Sequence, residues 1–193
     1  MYTNWETLKK ECMSCTRCRL CESRTNIVFG GGNENAEVMF IGEGPGKQED
    51  LTGEPFVGRC GQLLDKYLSA VDLDRKTDIY IANMVKCRPP QNRDPKQDEQ
   101  DECIKWLCEQ VRIMRPKIIV CLGRIAAQRL ISPDFKVTLD HGVFERKGGI
   151  FMMGTFHPAS LLRNQKQRPQ ALEDFLKLRD KMREVCGKNY NFS

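Results

Sequence analysis

Val38-Met39-Phe40-Ile41 runs directly into Gly42-Glu43-Gly44-Pro45-Gly46, an apolar burst of strand length that breaks into a glycine-rich loop. Such a burst, partly β-branched and bounded by charge and glycine, reads as a buried strand. Three more have the same form: Ile79–Val85, Ile118–Leu122 and Ile150–Phe156. Between and after them, apolar residues recur at three- and four-residue spacing over about Gly61–Val71, Lys96–Met114, Gly123–Ile131 and Gln170–Val185, which predicts helices. Strands alternating with helices imply an α/β fold, a three-layer α/β/α sandwich around a mainly parallel central sheet of about four strands. Segments Lys136–Leu139 and Gly142–Arg146 are ambiguous between helix and strand.

In an open α/β sheet, ligands gather at the carboxyl ends of the strands, so the loops that follow them are where chemistry is expected. Three are distinctive: Gly42 to Gly46, Asn83-Met84-Val85-Lys86-Cys87-Arg88-Pro89-Pro90, and His157-Pro158-Ala159-Ser160. The first invites a phosphate-loop reading. It lacks the Gly-Lys-Ser/Thr ending of a P-loop and the third glycine of a dinucleotide fingerprint, and Pro45 removes a backbone donor. No nucleotide cofactor is therefore expected, and by itself the loop is a tight turn.

Upstream, Thr3 and Glu6 have capping-box spacing, predicting a short helix from about Trp5 that leads into a cysteine-rich turn, Cys12 to Cys21. Residues 1–30 read as an N-terminal appendage and 36–186 as the core of a single domain, as a length of 193 residues suggests. The start carries no apolar run of the kind a signal peptide needs, and no stretch approaches a membrane span. A soluble, cytoplasmic protein with no membrane partner is expected. The net charge of +5 permits nucleic acid without demanding it.

Ten cysteines are too many for core filling alone, and a reducing compartment argues against disulfides, which leaves metal or cluster ligation as the leading use of some of them. Cys12, Cys15, Cys18 and Cys21 recur every third residue, with Cys87 and Cys103 far along the chain. Four thiolates hold either zinc or a 4Fe-4S cluster, so spacing alone does not name the metal. Cys60, Cys108, Cys121 and Cys186 lie in apolar contexts and read as small buried hydrophobes.

Taken together, the chain resembles the family 4, iron–sulfur, uracil-DNA glycosylases of bacteria and archaea. The resemblance rests on Ser14-Cys15-Thr16-Arg17-Cys18-Arg19-Leu20, Gly42-Glu43-Gly44-Pro45-Gly46, Glu49-Asp50, Gly53-Glu54-Pro55-Phe56-Val57-Gly58, Asn83 through Arg93, and Phe156-His157-Pro158-Ala159-Ser160-Leu161-Leu162-Arg163-Asn164. Any one of these is weak; their order and spacing are specific. The resemblance implies a monomeric, monofunctional enzyme that flips uracil out of single- or double-stranded DNA and hydrolyses its glycosidic bond for base excision repair. It places the ligands of a structural 4Fe-4S cluster at Cys15, Cys18, Cys87 and Cys103, leaving Cys12 and Cys21 as spares.

It also implies a uracil pocket formed by Gly42, Glu49, Phe56, Asn83 and His157. Phe56 would be the stacking platform, and Glu49 would stand against the position that carries the methyl group in thymine. An Asn83 amide can accept from uracil's imide N–H and donate to a neighbouring carbonyl. Cytosine presents the opposite pattern, a mismatch that can amount to roughly 10⁴-fold discrimination; a turn-capping asparagine is the alternative reading. His157, at a strand end, can donate a hydrogen bond to uracil oxygen as negative charge develops there.

For the attacking water, Glu43 is the only carboxylate in the strand-end glycine loop, and Asn92 is a second candidate by resemblance, with the role divided between them. Some uracil-DNA glycosylases carry an aspartate where this chain has Gly44. Around Leu161, Leu162 and Arg163 the family inserts a side chain into the gap left by the flipped base. Arg163, Lys166 and Arg168 are placed to grip phosphates. Three rivals remain at this point: a nucleic-acid-binding module without catalysis, a redox carrier, and a relative that bonds covalently to DNA through a histidine on an inserted loop. The direct run from Asn83 to Arg88 leaves no room for that loop. Cys60 stands where the family commonly has alanine.

Overall fold

A computed structural model describes Tyr2, residues 4–187 and Tyr190 of the chain. Six strands form one sheet: β1 (Gly31–Gly32), β2 (Val38–Gly42), β3 (Ile79–Asn83), β4 (Ile118–Leu122), β5 (Phe144–Lys147) and β6 (Ile150–Thr155), in the order β1-β3-β2-β4-β6-β5. The inner four, β3-β2-β4-β6, are all parallel, as the alternation of strands and helices requires. Antiparallel edges flank them, so the sheet has six strands where four were expected.

Both additions are illegible to hydrophobic patterning. The first is two glycines, and the second is Phe-Glu-Arg-Lys with an exposed polar face. The second is nonetheless set by local chemistry. Gly148 and Gly149 both adopt positive φ, 55° and 88°, which the two-residue turn of this hairpin needs and which glycine alone takes without strain. This resolves one ambiguous segment as a strand. The other is a single helical turn, α6 below.

Among the described residues, eight α-helices flank the sheet: α1 (Trp5–Cys12), α2 (Lys47–Thr52), α3 (Arg59–Ser69), α4 (Gln97–Met114), α5 (Arg124–Leu130), α6 (Val137–Asp140), α7 (Pro158–Arg163) and α8 (Arg168–Val185). Every residue of β2, β3 and β4 is buried, and the period of two sorts them cleanly. Met39, Ile41, Tyr80, Ala82, Ile119 and Cys121 face one core with Trp5, Leu8, Trp106, Leu107 and Ile125 of α1, α4 and α5. Val38, Phe40, Ile79, Ile81, Ile118 and Val120 face the other with Leu64, Leu68, Phe175, Leu178 and Met182 of α3 and α8. The result is the expected α/β/α sandwich. Each large aliphatic or aromatic side chain so buried contributes roughly 1.5–3 kcal/mol.

The α1 cap differs from the capping-box expectation. Asn4 is the N-cap, its side chain accepting from Thr7 N at 2.9 Å, while Thr3 lies outside the described residues. Trp5, Leu8 and Cys12 fall on one face at helical spacing and join the first core, so the N-terminal segment packs into the body of the sheet. Among the described residues, no helix is long and apolar enough to cross a membrane.

Candidate active site and cysteine cavity

The carboxyl ends of β2, β3, β4 and β6 deliver Gly42, Asn83, Leu122 and Thr155 to one edge of the sheet, and the loops beyond them enclose a cleft of about 540 Å³. Glu43, Glu49, Phe56, Asn83, Asn92, His157 and Arg163 all line it. Seven residues drawn from five separate sequence segments thus meet at one place.

Asn83 is 1% exposed, and its side-chain oxygen has no hydrogen-bond partner. A buried, unpaired amide oxygen costs about 1–3 kcal/mol. It faces the position of Gly42, where an added Cβ would fall 2.4 Å from Asn83 Oδ1 and 2.8 Å from the Phe56 ring. Gly42 is therefore the floor between them, and any side chain there would close the gap. Phe56 is buried with a positive φ of 52°, rare for a phenylalanine. Arg75 Nη1 donates to its carbonyl at 2.9 Å, and α3 presents Gly61 so closely that a Cβ there would fall 1.7 Å from the same oxygen. The strained backbone is held by its neighbours, and strain kept in this way clusters at sites of function.

Glu49, on α2, accepts on Oε1 from Val57 N at 3.0 Å and Gly58 N at 2.9 Å. Its carboxylate is thus fastened to the loop that carries Phe56. On the opposite wall, His157 caps α7, and its Nδ1 accepts from Ala159 N at 3.1 Å. A ring nitrogen that accepts cannot carry the proton, which leaves Nε2–H as the donor. Burial, helped by the Arg163 charge, lowers the His157 pKa to about 4, so the ring is neutral at physiological pH. Its ring centroid lies 5.9 Å from that of Phe56. Gly123, with φ 89°, approaches so closely that a Cβ would fall 2.7 Å from His157 Cβ.

Glu43 lines the same cleft. Burial first, then the nearby Asp94 charge, raises its pKa to about 7, against the opposing pull of Arg124. Asp94 and Arg124 form an ion pair at 2.5 Å, and both line the cleft; neither stands out among the motifs of the chain. Asp94 lies in the loop before α4 and Arg124 opens α5, and only the fold brings them together. Asn92 is exposed, with φ 53°, and its Oδ1 accepts from Arg88 Nε at 2.7 Å.

Leu161 is not at the surface. It is 1% exposed and belongs to the core that holds Phe56, Leu64 and Phe156, because the single face α7 turns inward includes it. Leu162 is half-buried and Arg163 exposed. Of the four cysteines read as small core residues, Cys121 is buried, Cys60 and Cys186 are half-buried and Cys108 is exposed; Cys60 lines the cleft.

A second, small cavity is lined by Cys12, Cys15, Cys18, Cys21, Cys87 and Cys103 together with Arg24, Lys86 and Trp106. Among the described residues, no three His, Cys, Asp or Glu side chains form a group that could hold a metal ion as they stand. The donor chemistry nevertheless suits thiolate ligation of a larger group. Trp106 Nε1 donates to Cys15 Sγ at 3.2 Å, Arg24 Nη1 to Cys87 Sγ at 3.3 Å and the Lys86 backbone N–H to Cys103 Sγ at 3.1 Å. Donors aimed at sulfur are what cluster-bound thiolates attract. As free thiols these groups are held protonated by burial, Cys87 up to about 11 and Cys12 and Cys103 up to about 12.

Comparison with known proteins agrees in family. A family model described as the uracil DNA glycosylase superfamily matches residues 29–179. The chain is 43% identical to a type-4 uracil-DNA glycosylase of Archaeoglobus fulgidus, covering 95% of this chain and 94% of that one. It is 42% identical to the type-4 enzyme of Thermotoga maritima, covering 92% and 95%. A type-5 uracil-DNA glycosylase of Pyrobaculum aerophilum is 31% identical over 77% of this chain.

Proposed function

Because this chain belongs to the type-4 branch of the uracil-DNA glycosylase superfamily, we propose that its cleft receives a uracil flipped out of DNA and hydrolyses the bond between base and deoxyribose. The product is an abasic site for base excision repair. The observation that carries this reading is the unpaired, buried Asn83 Oδ1, which lines the cleft across Gly42 from the Phe56 ring. An imide N–H is what such an acceptor lacks, and uracil offers one where cytosine offers only an acceptor.

With the base in place, Phe56 stacks on it. Glu49, held by two backbone donors, cannot swing aside and refuses the thymine methyl. Bond cleavage leaves negative charge on the departing uracil. The neutral His157, its Nε2–H fixed as donor, stabilises that charge without a proton transfer. A donor oriented in advance is worth roughly 10²–10³ in rate. We divide the handling of water by what each group can do. Asn92 Oδ1 is engaged by Arg88, so only its NH₂ is free, and this can orient the water without accepting its proton. Glu43, poised near neutrality, accepts the proton.

We read Cys15, Cys18, Cys87 and Cys103 as the ligands of a 4Fe-4S cluster, whose contribution is to cross-link the N-terminal segment to the loop after β3 and to α4. The 193 residues form one domain in this account, with 1–30 the cluster-binding part and 36–186 the catalytic core. Arg163 and Leu162 face the DNA, and the filling of the gap left by the flipped base falls to Leu162, since Leu161 is committed to the core. The enzyme acts as an intracellular monomer on single- or double-stranded DNA. Asn83→Ala tests the base-reading role: uracil excision at least tenfold slower in a folded protein is expected, and an unchanged rate would show that the pocket is misassigned.

A further inference from the structure

Lys86 is among the largest fully buried side chains in the protein, 1% exposed, although lysine is one of the residues least often found inside. A lysine amine persists in a core where its N–H groups find acceptors. Here Nζ donates to the backbone carbonyl of Asn83 at 3.1 Å and to Gln110 Oε1 at 2.6 Å, and stands 6.0 Å from the centroid of the Phe29 ring. Gln110, also fully buried, passes the link on through Nε2 to the Phe29 carbonyl at 3.0 Å. The main chain of Lys86 is fastened as well. Its N–H donates to Cys103 Sγ at 3.1 Å, and its carbonyl accepts from Val28 N at 2.8 Å.

One residue therefore touches both sites: the wall of the cysteine cavity and the last residue of β3, whose side chain reads the base. Asn83 ends the β2–β3 ladder opposite Gly42. Beyond that point the side-chain amine of Lys86, three residues on, donates to its carbonyl from within the core. We propose that Lys86 is a positioning residue for uracil recognition, which sets Asn83 in register with the Gly42 floor and ties that register to the cysteine cavity. The proposal rests on the base-reading role of Asn83 given above. It explains why a lysine occupies a site where a methionine would fill the same space without the cost of burying a polar amine.

Lys86→Met keeps the backbone N–H on Cys103 and removes only the amine. In protein purified anaerobically we expect iron content equal to wild type, and affinity for free uracil, measured by equilibrium titration, about tenfold weaker. A role confined to stability would lower the melting temperature and leave the affinity of the folded protein unchanged. Gln110→Met, which removes the other acceptor of the Lys86 amine, is expected to weaken uracil binding in the same direction and serves if Lys86→Met does not fold. Affinity within threefold of wild type in whichever of the two folds would overturn the proposal. Asn83→Ala, titrated alongside, separates the possible failures. Normal affinity there overturns the base-reading role and the positioning with it, whereas weak binding in Asn83→Ala beside normal binding in Lys86→Met overturns the positioning alone.

Discussion

The most informative perturbation is of Glu43, because its environment fixes how excision should depend on pH. Burial and the Asp94 charge bring its pKa from the ordinary 4.5 to about 7. If only the carboxylate accepts the proton of the attacking water, the active fraction is roughly a tenth at pH 6, half at pH 7 and nine-tenths at pH 8. The rate should then climb about tenfold per pH unit on the acid side and level off above pH 8. An ordinary glutamate would give a flat profile over the same range. His157 adds no limb there, since its pKa lies near 4 and it stays neutral throughout.

The neighbours make the test specific. Asp94→Asn removes the charge that raises the Glu43 pKa and frees Arg124 to lower it, so the midpoint should move to lower pH. Arg124→Gln leaves Asp94 uncompensated, so the midpoint should move to higher pH. The assay is single-turnover excision from a strand with one uracil, at saturating enzyme and constant ionic strength, because surface charges are screened by salt. A flat wild-type profile would show that Glu43 is not the group that accepts the proton. So would midpoints that fail to move in opposite directions in the two variants, or an acid limb that survives in Glu43→Gln.

Other expectations follow from single contacts. Gly42→Ala places a methyl 2.4 Å from Asn83 Oδ1 and 2.8 Å from the Phe56 ring, and should raise KM for uracil-containing DNA at least tenfold while the melting temperature changes little. Gly61→Ala meets the Phe56 carbonyl backbone at 1.7 Å and should destabilise the fold by about 1–3 kcal/mol or more in denaturant titration. His157→Ala should slow excision by roughly 10²–10³ and leave the shape of the pH profile intact. Cys87→Ser, analysed for iron and visible absorbance after anaerobic purification, should lose the cluster, whereas Cys108→Ser, on the exposed face of α4, should keep it.

Much of this was legible in the sequence because three inner strands are buried on both faces and announce themselves as apolar runs; Ile118–Leu122 matches its strand residue for residue. The edge strands escaped because two glycines and a charged hairpin arm carry no apolar signal. Within the site, Asn83 and His157 were legible as polar residues at strand ends, and the Gly42 to Gly46 turn by its composition. Asp94, Arg124 and Arg75 were not, since each acts through a partner far along the chain. Leu161 shows the limit of local reading: in Leu161-Leu162-Arg163 nothing tells which leucine α7 turns inward. Nothing in the sequence marks Lys86, and only the packing of Gln110 and Phe29 around it reveals its burial.

The central claim is tested most directly by incubating the anaerobically purified protein with a labelled DNA strand containing one uracil, beside an otherwise identical strand containing thymine. Release of free uracil, an alkali-labile abasic site at the former uracil, and an intact thymine strand are expected. Cluster-loaded protein that binds the uracil strand and releases no base would contradict it, and would make the chain a DNA-binding module built on a glycosylase fold.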